Sequence, residues 1–316
     1  MPPLLFETLA THAAYSDLSS LGLIAVQGDD TMALLQGQFT NDVRKLAQHN
    51  AQYSGLCSPK GRLLANFLLW QQAGCVYIQM PAALQPFLQK RLAMYVLRSK
   101  VQLSDVQMQW RRIGVAGRQA AAAVKSLTSC VLENDMTSVE NEQGSVLRLS
   151  AERYQISVPV TDGEDSLGQI AAYANQIDIN QWQWLEIQAG VPSIVTATQD
   201  QFVPQMVNFD LTNSVDFKKG CYTGQEIVAR TQYLGKLKRR MYLIHSDTEM
   251  AAGDEIYSSE MEGQATGMVV NAQPSPLAGW DALAVVQISS AQAQALRLKS
   301  LGGALLTLRE LPYPVV

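Results

Sequence analysis

The chain has 316 residues, of which 47% are hydrophobic and 16% are charged. This composition excludes a disordered chain and a long charged coiled coil. Twenty-four Lys and Arg against 28 Asp and Glu give a net charge of -4, the wrong sign for a general nucleic-acid coat protein. The length predicts two domains, or three small ones.

The first 30 residues lack the pattern of a secretory signal, and no run of about 20 apolar residues predicts a membrane span. None of the four cysteines, Cys57, Cys75, Cys130 and Cys221, forms a CxxC pair. The sequence therefore predicts neither a zinc ribbon nor a Cys₄ iron–sulfur site, and we expect no bound metal. The prediction is a cytoplasmic protein with reduced thiols and no membrane partner.

In chain order, residues 23–26 predict a strand, and Asp29 or Asp30 can cap the next helix. Apolar runs over 63–70 and 75–80 predict a hairpin with a four-residue loop. The spacing over 84–96 predicts an amphipathic helix. A strand over 110–115 and an Ala-rich helix to residue 127 follow. Strands over 146–149 and 154–160 then precede helices over 167–177 and 182–189.

After about residue 235, short β-prone runs separated by Gly and Pro predict a small all-β barrel or sandwich. Earlier strands and helices do not alternate strictly, which favours two α+β lobes over a doubly wound sheet. We expect residues 1–200 to form two interleaved lobes, 201–235 to carry a functional segment, and 236–316 to form the barrel.

Common catalytic motifs such as GxGxxG, HExxH and GxSxG are absent. The candidate for chemistry is instead Cys221, which follows Lys218, Lys219 and Gly220. Nearby cations favour the thiolate, and glycines on both sides predict a tight loop. A helix beginning near Gln225 would add its N-terminal dipole. Cys221 is a candidate reactive thiol; the alternative is an inert buried cysteine.

The window from Lys218 to Arg240 holds seven basic residues and one acid, a net charge of +6 against -10 for the rest of the chain. Such a patch on an acidic protein attracts a specific anion, either a glutamate-tailed cofactor or one RNA site. The alternative is a solvent-exposed surface whose basic side chains pair with acidic residues of the rest of the chain. Nearby, Trp182 and Trp184 would point in different directions from one helix, so one can be core while the other lines a cavity.

Segment 218–226, KKGCYTGQE, resembles the KGCYxGQE signature of the YgfZ-type folate-binding family, within the superfamily of the glycine-cleavage aminomethyltransferase. Supporting matches span the chain. They are QGQFTNDV at 36–43, SPKGR at 58–62, residues 182–192, QFVPQ at 201–205 and LPY at 311–313.

The resemblance implies a ring of two ferredoxin-like α+β lobes and a C-terminal β-barrel, with tetrahydrofolate in a central channel. It also implies a role in assembling or maintaining iron–sulfur enzymes, including those that thiolate tRNA. Trp182 matches the folate-stacking tryptophan, and Gln188, Asn41 and Asp42 are further expected cofactor contacts. The remaining signature residues are Lys218, Lys219, Gly220, Tyr222, Gly224, Gln225, Glu226 and Arg230.

The chain also departs from the superfamily pattern. Leu21 replaces a second folate-contacting Trp, and Ala65-Asn66 replaces the acidic pair of true aminomethyltransferases. Gln188 replaces a folate-binding Glu and can bind a pterin edge without charge. These changes favour retained folate binding without glycine-cleavage chemistry.

The leading hypothesis is a folate-dependent accessory protein for iron–sulfur enzymes that modify tRNA, with Cys221 as its thiol. In it, Lys218, Lys219 and Arg230 supply positive potential. Two alternatives are a one-carbon or aminomethyl transferase with an unknown acceptor, and a module that docks tRNA or a partner through residues 218–240. The docking hypothesis predicts salt-sensitive RNA binding that is lost on charge reversal at Lys238, Arg239 and Arg240.

Overall fold

A computed structural model of the chain describes residues 3–129, 131–141, 144–261, 263–293 and 295–315. Its helices are α1 Pro3–Thr11, α2 Thr31–Gln36, α3 Gln85–Val96, α4 Ala120–Thr128, α5 Val160–Ile170, α6 Ile179–Gln188, α7 Gln225–Tyr233 and α8 Ile288–Ala293. Its strands are β1 Ala13–Asp17, β2 Gly22–Gln27, β3 Gln52–Cys57, β4 Leu63–Gln72, β5 Cys75–Met80, β6 Gln102–Asp105, β7 Trp110–Ala116, β8 Thr137–Asn141, β9 Gly144–Ser150, β10 Arg153–Pro159, β11 Ala174–Gln176, β12 Arg239–Ser246, β13 Glu255–Ser258, β14 Ala265–Pro274, β15 Trp280–Gln287, β16 Leu296–Leu298 and β17 Thr307–Arg309.

The chain divides into two compact units. The first unit holds residues 1–36, 43–53 and 67–182, and the second holds 37–42, 54–66 and 183–316. Two short early segments therefore belong with the C-terminal half of the chain. This assignment matters for function, because both segments carry residues of the motifs described above.

A six-stranded sheet in the first unit has the order β11-β1-β7-β10-β9-β8. Ile113 and Val115 of β7 pack in one core with Ala123 and Val124 of α4. Gly114, between them in the strand, faces the opposite side of the sheet. There it lies under the Trp182 ring, so closely that an added Cβ would come 2.6 Å from a ring carbon.

The second sheet, in the order β3-β4-β5-β2-β6, contains the predicted hairpin. Its loop has two residues rather than four, because Gln71 and Gln72 pair with β5. Ala73 and Gly74 adopt positive φ angles of 49° and 74°, the conformation of a tight hairpin turn whose twist suits the flanking strands.

The predicted helix over 167–177 is misplaced. Helix α5 begins at Val160, immediately after Pro159, and ends at Ile170. Residues 174–176 form β11, which pairs in parallel with β1, so Ala174 lies opposite Ala13. A partner more than 150 residues away outweighs the local helical preference of this segment.

The C-terminal β-prone runs form one antiparallel sheet in the second unit, in the order β16-β13-β14-β15-β12-β17. Its core includes Ile244, Ile256, Val269 and Ala284. The prediction of a mixed α and β fold is confirmed, and the C-terminal part is mostly β but includes helix α8. The ferredoxin-like lobes, the barrel, the ring and the boundaries at 200 and 235 stay predictions. No described helix combines the length and apolar character that a membrane crossing requires.

Candidate functional site: the signature loop and the Asp281 cluster

The signature loop, residues 216–224, is anchored within the second unit by Lys219. Its side chain is only 6% exposed, and Nζ donates hydrogen bonds to the carbonyl oxygens of Phe39 and, at 3.0 Å, Asn41. Nζ also lies 5.0 Å from the centre of the Tyr222 ring. The Lys219 charge therefore holds the loop to residues 39–41.

The predicted cofactor residues Asn41 and Asp42 lie at the base of this loop, and both are buried. Asn41 donates from Nδ2 to the carbonyl of Asn213 at 2.7 Å, and its Oδ1 accepts the Asp42 backbone N–H at 2.9 Å. The Asp216 backbone N–H donates to the carbonyl of Thr40 at 3.0 Å. The early QGQFTNDV segment thus supports the later signature.

The SPKGR segment forms a turn that contacts the other end of the loop. Gly224 has a φ of +82°, and an added Cβ there would lie 2.3 Å from the Ser58 carbonyl oxygen. A Cβ on Gly61 would lie 2.8 Å from the Cβ of Ile227 in α7. Glycine at both positions permits this approach. Helix α7 begins directly after Gly224, as predicted near Gln225.

Cys221 is exposed, whereas Tyr222 beside it is buried. Burial, and secondarily the charge of Cys57, raises the pKa of the Tyr222 hydroxyl. Burial, with a contribution from Asp200, raises the pKa of Cys57 to about 12, and burial also raises the pKa of Cys75. Cys130 lies outside the described residues. Of the cysteines within them, Cys221 alone is exposed.

Both tryptophans of α6 are buried, and the expectation that one of them lines a cavity stays a prediction. Trp182 is 3% exposed and packs on Gly114 in the first unit. Trp184, in the second unit, donates from Nε1 to Oδ2 of Asp281 at 2.7 Å.

Asp281 is the buried centre of a polar group, here called the Asp281 cluster, which consists of Trp184, Gln188, His245 and Asp281. Trp184 is also buried, whereas Gln188 and His245 are half-buried. Gln188 donates from Nε2 to Oδ2 of Asp281 at 3.3 Å, and a 2.7 Å hydrogen bond joins His245 Nδ1 to Oδ1. His245 of β12 lies opposite Asp281 of β15 in the sheet. Sequence reasoning missed Asp281; the available signal was an acid within the apolar run of β15.

A model of the GCVT N-terminal domain matches residues 6–152. Over 279 residues the chain is 33% identical to the tRNA-modifying protein YgfZ of Vibrio vulnificus (strain CMCP6). The aligned region covers 81% of this chain and 83% of the relative. The chain belongs to the YgfZ family. It is also 31% identical over 303 residues to YgfZ of Yersinia pestis (strain Pestoides F), covering 94% and 91% of the two chains.

The chain shares its fold with the glycine cleavage system aminomethyltransferase T from Bartonella henselae. The TM-score is 0.76 with 18% identity, over 97% of this chain and 87% of the other. The Asn66 side chain donates to the Pro192 carbonyl and accepts the Ile194 N–H, both at 2.7 Å. Both polar atoms of the Asn66 amide are therefore hydrogen-bonded to backbone groups, and the side chain provides no carboxylate.

The basic residues between Lys218 and Arg240 fall into two groups, those buried in structural contacts and those exposed. Lys219 is buried as described, and Arg240 is buried with both guanidinium NH₂ groups on the Asp210 carboxylate, at 2.6 and 2.9 Å. The exposed basic residues are Lys218, Arg230, Lys236 and Lys238, and Arg239 is half-buried. The Lys219 ammonium donates to backbone carbonyls, and its contribution to the potential at Cys221 stays a prediction.

Proposed function

We propose that this YgfZ-family chain is a tetrahydrofolate-binding accessory protein that supports iron–sulfur enzymes of tRNA modification in the cytoplasm. The observation that carries the proposal is the exposed Cys221 thiol on a loop anchored at both ends. Lys219 anchors the loop before Cys221, and Gly224 contacts the SPKGR turn after it. A fixed and accessible thiol suits contact with a partner protein, either an iron–sulfur enzyme or an assembly protein.

The proposed folate contacts are Gln188, Trp182, Asn41 and Asp42. Gln188 is half-buried, and its carbonyl oxygen can accept a hydrogen bond from the pterin edge. Trp182 in the first unit and Asn41 and Asp42 in the second are buried, and each is proposed as a contact on its own. The transferase alternative gains no support, because Asn66 is committed to residues 192–194.

Tetrahydrofolate titration followed by tryptophan fluorescence tests the binding. We expect saturable quenching in the wild type, and affinity about tenfold lower in Gln188→Leu, because one hydrogen bond contributes roughly 0.5–1.5 kcal/mol. Gln183→Leu makes the same replacement on the same helix and is the control, with affinity close to wild type. A wild type that shows no binding at millimolar ligand would refute the folate proposal.

A second candidate function is RNA docking by the same chain. No acid lies between Glu226 and Asp247, and Lys236 and Lys238 are exposed. Tyr233 is 67% exposed, with its ring centre 6.2 Å from that of Phe217. Exposed cations beside an exposed aromatic ring suit phosphates and an unstacked base.

For the docking function we expect tRNA binding at about 50 mM salt that weakens steeply as salt rises. The double variant Lys236→Glu/Lys238→Glu should bind at least tenfold more weakly. Its control, Lys90→Glu/Lys125→Glu, changes the net charge equally on exposed residues of the first unit and should leave binding nearly unchanged. Equal losses in both double variants, or no wild-type binding at low salt, would dismiss a defined docking surface.

A further inference from the structure

The Asp281 cluster determines which way the Gln188 amide points. An ionised carboxylate accepts hydrogen bonds and cannot donate them. Asp281 Oδ2 therefore receives Nε2 of Gln188, at 3.3 Å, and excludes the reverse orientation of the amide. Oε1 of Gln188 is left without a hydrogen-bond partner among the described residues, on a side chain that is only half-buried.

Asp281 is itself held in one position. It is 3% exposed, and its carboxylate receives Trp184 Nε1 at 2.7 Å besides Gln188. His245 Nδ1 lies 2.7 Å from the other oxygen, on the adjacent strand β12. Three polar partners on one buried carboxylate leave it little freedom to rotate, so the amide of Gln188 is oriented before a ligand arrives.

We propose that Asp281 is a positioning residue that takes one N–H of the Gln188 amide and thereby fixes Oε1 as the acceptor offered to a ligand. A glutamine is otherwise ambiguous, since it offers a donor and an acceptor of similar shape. With its amide held, the uncharged Gln188 selects a ligand edge carrying N–H donors. The ring N–H and exocyclic amino group of a reduced pterin form such an edge. The inference rests on the proposed folate binding, and it adds the residue that determines how the Gln188 amide is oriented.

A double-mutant cycle on tetrahydrofolate affinity tests the proposal. We expect Asp281→Ala to weaken binding about tenfold when Gln188 is present, and by less than twofold in the Gln188→Leu background. Asp281→Asn keeps an acceptor oxygen for Gln188 and should bind within threefold of wild type. Gln183→Leu, on the same helix but outside the Asp281 cluster, is the control and should also bind within threefold of wild type. Equal losses from Asp281→Ala in both backgrounds would overturn the proposal.

Gln188→Glu gives an independent test if Asp281→Ala does not fold. It places a second acceptor-only group opposite Asp281, so the two carboxylates repel each other. We expect at least tenfold weaker tetrahydrofolate binding, and binding tighter than wild type would contradict the inference. A wild type that does not bind tetrahydrofolate would refute the proposed function as well, whereas binding with additive effects would refute only the role of Asp281.

Discussion

Replacing Cys221 with serine is expected to reduce tRNA methylthiolation in cells to the level of a strain lacking the protein, while the fold is unaffected. Cys221 is the exposed cysteine of the described residues, and no structural role is visible for its side chain there. Serine keeps the size and removes the nucleophilic and metal-binding sulfur. Mass spectrometry of tRNA nucleosides from complemented cells measures the effect.

The matched control is Cys75→Ser, which alters a half-buried thiol whose pKa is raised by burial. This variant should complement like the wild type. The unfolding temperature of Cys221→Ser should stay within about 2 °C of wild type, since exposed substitutions change stability by about 0.5 kcal/mol or less. Normal methylthiolation with Cys221→Ser would rule out a chemical role for the thiol.

Arg240→Ala is expected to lower the free energy of unfolding by about 3–5 kcal/mol, because it leaves the Asp210 carboxylate buried without its partner. The Asp210 and Arg240 side chains are 9% and 11% exposed, and Arg240 also donates to the Gln205 carbonyl at 2.9 Å. Urea denaturation followed by circular dichroism measures the loss.

Lys238→Ala is the control, because this exposed residue belongs to the same basic window. Its effect should stay within about 0.5 kcal/mol. The contrast corrects the charge-reversal test suggested by the sequence, since reversal at Arg240 would report on folding rather than on RNA docking. A loss below about 1 kcal/mol for Arg240→Ala would show that this buried pair contributes little to stability.

Local pattern predicted the elements whose residues carry a strong period or a clear boundary. The helix over 84–96 is found as α3, and the helix after Gly224 is found as α7. The local pattern failed where pairing with another strand decides the structure. Residues 174–176 become strand β11 because β1 lies beside them, and Gln71 and Gln72 extend β4 because β5 offers hydrogen bonds.

The KKGCYTGQE segment and its supporting matches were enough to indicate the family and to identify Cys221 as the candidate thiol. Which basic side chains remain accessible depends on the three-dimensional contacts. Lys218 and Lys219 are neighbours in sequence, yet one is exposed and the other is buried on backbone carbonyls. Likewise, Asp281 orients Gln188 across 93 residues of chain. Burial and hydrogen-bond partners arise from contacts between distant segments of the chain. A short stretch of sequence does not show these contacts.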